Sequence, residues 1–166
     1  MKNNKTFFIL QQKIKREGII MCKACEVGKI VVNKCLSKGI FINTQKLQKL
    51  LSLMQIECVK RANKILFKED IVVWDCGVAI KEVDTEFCSE AIEFKEEQVE
   101  YITLLDKEEE SVDFIICNYG NLSAFEINEL PEIQGLIKIG TPSKVSGIVH
   151  IKSEEILRRY SPNENQ

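Results

Sequence analysis

The chain has 166 residues, 45% of them hydrophobic, 29% charged and 7% aromatic, with a formal net charge of −2. That is enough apolar material for one globular core, and the 3 Pro and 8 Gly are too few for a chain that stays disordered. No run approaches the ~18 apolar residues of a membrane-spanning helix, and seven scattered cysteines do not make a disulfide framework, so a soluble cytosolic protein with reduced thiols is expected.

The net charge conceals a polarised chain. Residues 1–68 carry 15 Lys/Arg against 3 Asp/Glu, whereas residues 82–113 carry 13 acids against 2 lysines. Either the two segments pair at the surface of the fold, or a basic face awaits an acidic protein or a nucleic acid. Nucleic acid is disfavoured, because the basic residues are spaced along amphipathic segments without aromatics between them to stack on bases, and the pI is 5.6. No membrane contact is expected.

Residues 1–20 read as a basic extension. Its apolar run, Phe7-Phe-Ile-Leu10, is too short for an export signal; the expectation is either an extension outside the core domain or an alternative start at Met21. Residues 22–38 place Val27, Ile30, Val31 and Cys35 at helical spacing, closed by Gly39. Asn43 or Thr44 caps the next helix, where Leu47, Leu50, Leu51, Met54, Cys58 and Ala62 form an apolar stripe and Lys46, Lys49, Lys60 and Arg61 the opposite face. Ile65-Leu-Phe67 and Ile71-Val-Val-Trp74 predict two short strands, and residues 79–90 a short helix. Residues 91–105 fit either state.

The acidic run from Asp106 opens a helix that ends at Gly120, its carboxylates complementing the macrodipole. Ser123-Ala-Phe-Glu126 is a capping box, with Leu122 and Ile127 at the two staple positions. Pro131 stops that helix at Leu130, and residues 132–147 predict a loop. Val149-His-Ile151 predicts a strand, and Ser153 caps a last helix with Glu154 and Glu155 first and Arg158 and Arg159 last. The domain spans 21–160, leaving 161–166 as a tail.

Catalytic constellations are sparse. His150 is the sole histidine, so any nucleophile–histidine scheme depends on it, and beside a strand it reads as a half-buried structural residue. No Gly-rich phosphate loop occurs. Cys22-Lys-Ala-Cys25 has the spacing of half a zinc site or of a redox pair, without a second ligand pair to close a metal site. No catalytic residue, metal or cofactor is therefore assigned. Trp74, the sole tryptophan, is either a core anchor or a partner hot spot.

Four motifs in order resemble a known family. Lys46-Leu-Gln-Lys-Leu-Leu51 resembles the K-L-Q-K-L-L helix of the Panacea, or SocA-like antitoxin, domain. Ile65-Leu-Phe67 with Ile71-Val-Val-Trp74, Tyr119-Gly-Asn-Leu-Ser-Ala-Phe-Glu126 and His150-Ile-Lys-Ser-Glu-Glu-Ile156 with Tyr160 are similar to its later segments. After Trp74 the family usually continues K-Y-G-P-V-V-P, whereas here Asp75-Cys-Gly-Val-Ala-Ile80 follows. The chain is identified as a divergent member.

The resemblance implies a mainly helical α+β domain with a small antiparallel hairpin or sheet and no catalytic machinery. It further implies an antitoxin that neutralises a protein toxin by stoichiometric contact, or in one branch delivers it to a Clp-type protease, often encoded on prophages or mobile elements. A phage-borne inhibitor of host defence, anti-CRISPR-like, is the second binding reading. A small Cys/His metalloprotein or enzyme on Cys22, Cys25 and His150 is the rival from another class. The expected contact regions are the lysine face at Lys46 and Lys49 and the hairpin at Trp74 and Asp75.

Overall fold

The structure is a computed structural model that describes residues 21–75, 77–88, 103–140 and 147–162. The N-terminal extension, residues 91–102, residues 141–146 and the last four residues lie outside that range. Helix α1 (Ala24–Ser37) starts with the Lys23 amide donating to the Glu26 carboxylate at 2.8 Å. It ends in a left-handed Gly39 (φ +67°), with the Ile40 amide reaching back to the Cys35 carbonyl at 2.9 Å. Helix α2 (Thr44–Ala62) is capped by Asn43, whose Oδ1 accepts from the Lys46 amide at 2.9 Å, and closes on Asn63 in the left-handed region.

Beyond α2 come β1 (Ile71–Trp74), β2 (Gly77–Ala79) and α3 (Lys81–Cys88), then α4 (Asp106–Tyr119), α5 (Ala124–Asn128) and α6 (Pro131–Gly140). Strand β3 (Val149–Ile151) and helix α7 (Ser153–Tyr160) complete the described elements. The strands form one antiparallel sheet in the order β2-β1-β3, with Trp74 opposite Gly77 and Ile71 opposite Ile151. This is the expected mainly helical α+β fold. Among the described residues no helix is long and apolar enough to cross a membrane.

Among the described elements, α2 is central, touching every other helix and β2. From Lys46 to Ile56 every residue is buried, the polar ones included. The predicted stripe of Leu47, Leu50, Leu51, Met54 and Cys58 does face the core, yet the opposite side carries further helices rather than solvent. Buried polar groups there must find partners within the protein. Gln55 Oε1 accepts from the amides of Leu66 (2.7 Å) and Phe67 (3.2 Å), and its Nε2 donates to the Phe67 carbonyl at 2.7 Å. Gln48 Oε1 accepts from the Ile80 amide at 3.0 Å, and its Nε2 donates to Asp84 at 3.0 Å.

These bonds explain one departure from expectation. Residues 65–67 are not the first strand of a hairpin: the side chain of Gln55 takes the backbone groups of Leu66 and Phe67 that a strand neighbour would have used, and only a single parallel bridge joins Phe67 to Cys22. The hairpin forms one segment later, between β1 and β2. A second departure is α6, where a loop was expected. Pro131 stops α5 as predicted but also starts a new helix, since proline lacks the N–H that a first helical residue leaves unpaired. Ile133 and Leu136 then bury on one side of it. In α7 the N-cap is Lys152; Ser153 is already helical and buried.

The opposite charges of the chain do meet at the surface. Lys34 bonds Asp113 (2.7 Å) and Glu109 (3.1 Å), Lys29 pairs with Glu86 (3.5 Å), and Lys64 with Glu108 (3.8 Å). The exposed pair of Lys29 and Glu86 contributes only about 0.2–1 kcal/mol, whereas Glu108 and Lys34 are more enclosed. The buried glutamines matter more. Gln55→Leu keeps the volume and leaves two N–H groups and one carbonyl without partners, so it should destabilise the fold by about 2–5 kcal/mol in urea unfolding.

Candidate partner-binding surface

The two lysines expected on an exposed face are not on one. Lys46 and Lys49 are 5% and 7% exposed, because α2 is covered on that side as well. Lys46 Nζ donates to the Phe41 carbonyl at 2.8 Å, and burial draws its pKa below the ordinary lysine range. Lys49 Nζ lies beside Gly77, under the β1–β2 turn. The exposed cations of α2, Lys60 and Arg61, sit at its other end and are engaged. Arg61 bonds Glu57 at 2.6 Å and lies 4.5 Å from the Phe114 ring centre, while Lys60 faces Glu132 and the Tyr160 ring.

The hairpin does face outward. Trp74 is 41% exposed and Asp75 is exposed in the turn, so the tryptophan is a surface residue rather than a core anchor. Behind Trp74 lies a cavity of about 200 Å³ lined by Gln45, Gln48, Lys49, Val78, Ala79 and Asp84. Gly77 holds the turn at φ +104°, a conformation side-chain-bearing residues rarely adopt. Asn128, the last residue of α5, packs where a Gly77 Cβ would sit. This contact places the short helix α5 directly beside the Trp74 turn.

Phe125 lies one helical turn before Asn128 and is 76% exposed. Helix α5 is fixed by its capping box: the Ser123 amide donates to Glu126 at 2.7 Å and the Glu126 amide donates to Ser123 Oγ at 3.2 Å. The first of these bonds holds the Glu126 carboxyl below its usual range. Phe41, 74% exposed, flanks the same end of α2 through its carbonyl bond to Lys46. Neither phenylalanine was among the expected contact residues. The signal for Phe125 was available, since it stands two positions from the buried Ile127, about 200° around a helix. Phe41 lies in a connection and carries no periodicity.

Among the described residues no group of three or more His, Cys, Asp or Glu side chains is placed to hold a metal ion. Cys22 is buried against the core, and Cys25 is half-buried on α1. Burial first, then the carboxylates of Glu86, Glu69 and Glu82, push the Cys25 thiol up to about 11. Burial and the Glu108 carboxylate push Cys58 up to about 12. His150 lies on β3 opposite Val72 and is exposed rather than half-buried. Its Nδ1 is 3.2 Å from Asp70, which also accepts from Lys152 at 2.8 Å. A cavity of about 350 Å³ there is lined by both signs of charge, with Lys68, Lys81, Glu69 and Glu82.

The sequence profile described as "Antitoxin SocA-like, Panacea domain" matches residues 47–132, more than half of the chain. The chain belongs to this antitoxin-like family. No curated protein and no solved structure matches it. The matched span runs from α2 through β1, β2, α3, α4 and α5 to the start of α6, so the Panacea domain match contains Trp74, Phe125 and the α5–turn contact. Helices α1 and α7, which cover α2 from outside that span, fall beyond it.

Two measurements check this geometry. Gly77→Ala forces an L residue to positive φ against Asn128 and should cost about 1–3 kcal/mol in thermal unfolding. For the thiols, a raised pKa leaves the group protonated at neutral pH, and the thiolate is the reactive form. Iodoacetamide at pH 7.5, followed by mass spectrometry, should therefore modify the exposed Cys117 well before Cys25 and leave Cys58 unmodified in the folded protein.

Proposed function

We propose that this Panacea domain neutralises a protein toxin in the cytosol by direct stoichiometric contact, making and breaking no covalent bond. The family match over residues 47–132 carries the reading, because it places the chain among antitoxin-like proteins. The surface around Trp74 and α5 supports it. Three large aromatic side chains stand exposed around one end of α2, and aromatics dominate the energetics of protein interfaces.

Asn128 packs against Gly77 and the Ser123–Glu126 box closes the first turn of α5, so the turn and α5 are joined within the fold of the free protein. The contact region is Trp74 and Asp75 with Phe125 and Phe41, and Lys46 and Lys49 act beneath it as supports. The sole histidine and the protonated thiols fit a binding protein. Delivery of the captured toxin to a Clp-type protease is compatible with the same surface and adds a second step to the same recognition.

Co-expression with the protein encoded next to this one tests the reading. A toxic neighbour should be neutralised, and the two should co-purify at a fixed ratio. Trp74→Ala should weaken the complex about 10- to 100-fold in calorimetry without changing the melting temperature by more than a few degrees. A neighbour whose toxicity is unaffected, with no complex, removes it as the partner.

A further inference from the structure

The sequence places its cations near residues 46–61 and so suggests an acidic partner; the structure reverses the sign. The lysines closest to the aromatic surface, Lys46 and Lys49, are buried beneath it. Among the described residues, exposed carboxylates stand near Trp74 and Phe125: Asp75 in the turn, Glu126 on α5 and Glu129 at its C-cap. Glu126 is committed to the capping box, which leaves Asp75 and Glu129 as the outward-facing acids. Asp84, inside the cavity behind Trp74, has one oxygen bonded to Gln48.

A second observation concerns the rings themselves. At the other end of α2 the exposed Phe114 is covered by the guanidinium of Arg61, and Tyr160 by the ammonium of Lys60. Among the described residues no cation stacks on Trp74 or Phe125. An aromatic face bordered by carboxylates attracts a guanidinium twice, through the ring quadrupole and through charge-assisted hydrogen bonds.

We infer that the surface from Trp74 across to Phe125 receives an arginine-bearing, otherwise apolar segment of the toxin. One arginine lies over Trp74 within reach of Asp75, and an apolar residue of the segment packs on Phe125 beside Glu129. This rests on the toxin-binding reading and adds the chemistry of the partner. Lys49 lines the cavity beside Trp74 and repels a second cation there, so the arginine lies over the ring rather than inside the cavity.

The experiment compares the wild-type protein with Phe125→Ala and with the double charge reversal Asp75→Lys/Glu129→Lys, all exposed sites, in calorimetric titration with the co-encoded toxin at 50 and 300 mM NaCl. Circular dichroism confirms that each variant is folded. Wild-type affinity should fall about tenfold across that salt range, and the double reversal should weaken binding at least 30-fold at low salt and lose the salt dependence. Phe125→Ala should weaken binding about tenfold at both salt concentrations. Trp74, as the sole tryptophan, should change its emission on binding.

A wild-type complex that all variants form within twofold overturns this inference and leaves the toxin-binding reading standing. Tighter binding by the double reversal overturns it in favour of an acidic partner. Self-association of the free protein, broken by the same substitutions, overturns it in favour of a second copy. No complex with the wild type removes the toxin-binding reading and this inference together.

Discussion

Gln55 lies fully buried on α2 and commits both ends of its amide to one irregular segment, the backbone at Leu66 and Phe67. Two turns earlier, Gln48 does the same for the Ile80 amide and Asp84. A helix surrounded on every side cannot be held in place by apolar packing alone, because leucines and isoleucines tolerate rotation and sliding. Directional bonds to named backbone atoms fix its register. They also fix both ends of the sheet's first hairpin: Phe67 leads into β1, and Ile80 leaves β2. The position of Trp74 therefore depends on two amides in the interior of α2.

The same arrangement explains which charges remain available. Burying α2 places Lys46 and Lys49 under the surface, where a carbonyl receives one of them and the turn covers the other. Taking an ammonium out of water is costly unless it is hydrogen-bonded, so these side chains serve the fold first. Asp75 in the turn and Glu129 just after α5 meet no such demand and stay in solvent. Sign and accessibility thus part company: the half of the chain richest in lysine contributes little positive charge to this face.

Much of the fold was legible because its signals are local. The apolar spacing of α2, the Asn43 cap, the Gly39 terminus and the Ser123–Glu126 box each act within a few residues, and each appears where the sequence puts it. Apart from the one-residue shift of the α7 cap from Ser153 to Lys152, the main errors are non-local. Lys46 and Lys49 sit opposite a strong apolar stripe, and nothing in the stripe reveals that further helices cover the other side. Residues 65–67 have strand composition, and only a glutamine 11 residues earlier decides that they pair with a side chain instead. Pro131 was correctly read as a stop but not as a start, because the burial of Ile133 and Leu136 that stabilises α6 comes from the finished core. Of the candidate surface, Trp74 and Asp75 were readable. Phe41 and Phe125 became significant only when tertiary structure left them exposed, Phe41 at the start of α2 and Phe125 on the helix that packs on the turn.

Helix α5 is five residues long, far too short to persist by itself in water. It exists because a serine–glutamate box closes its first turn, Ile127 is inserted into the core, and Pro131 bends the chain immediately after it. Such a mount gives Phe125 almost no backbone freedom to lose when another molecule settles on it. The ordering cost has already been met during folding, so an exposed ring on a very short helix can contribute to a long residence time.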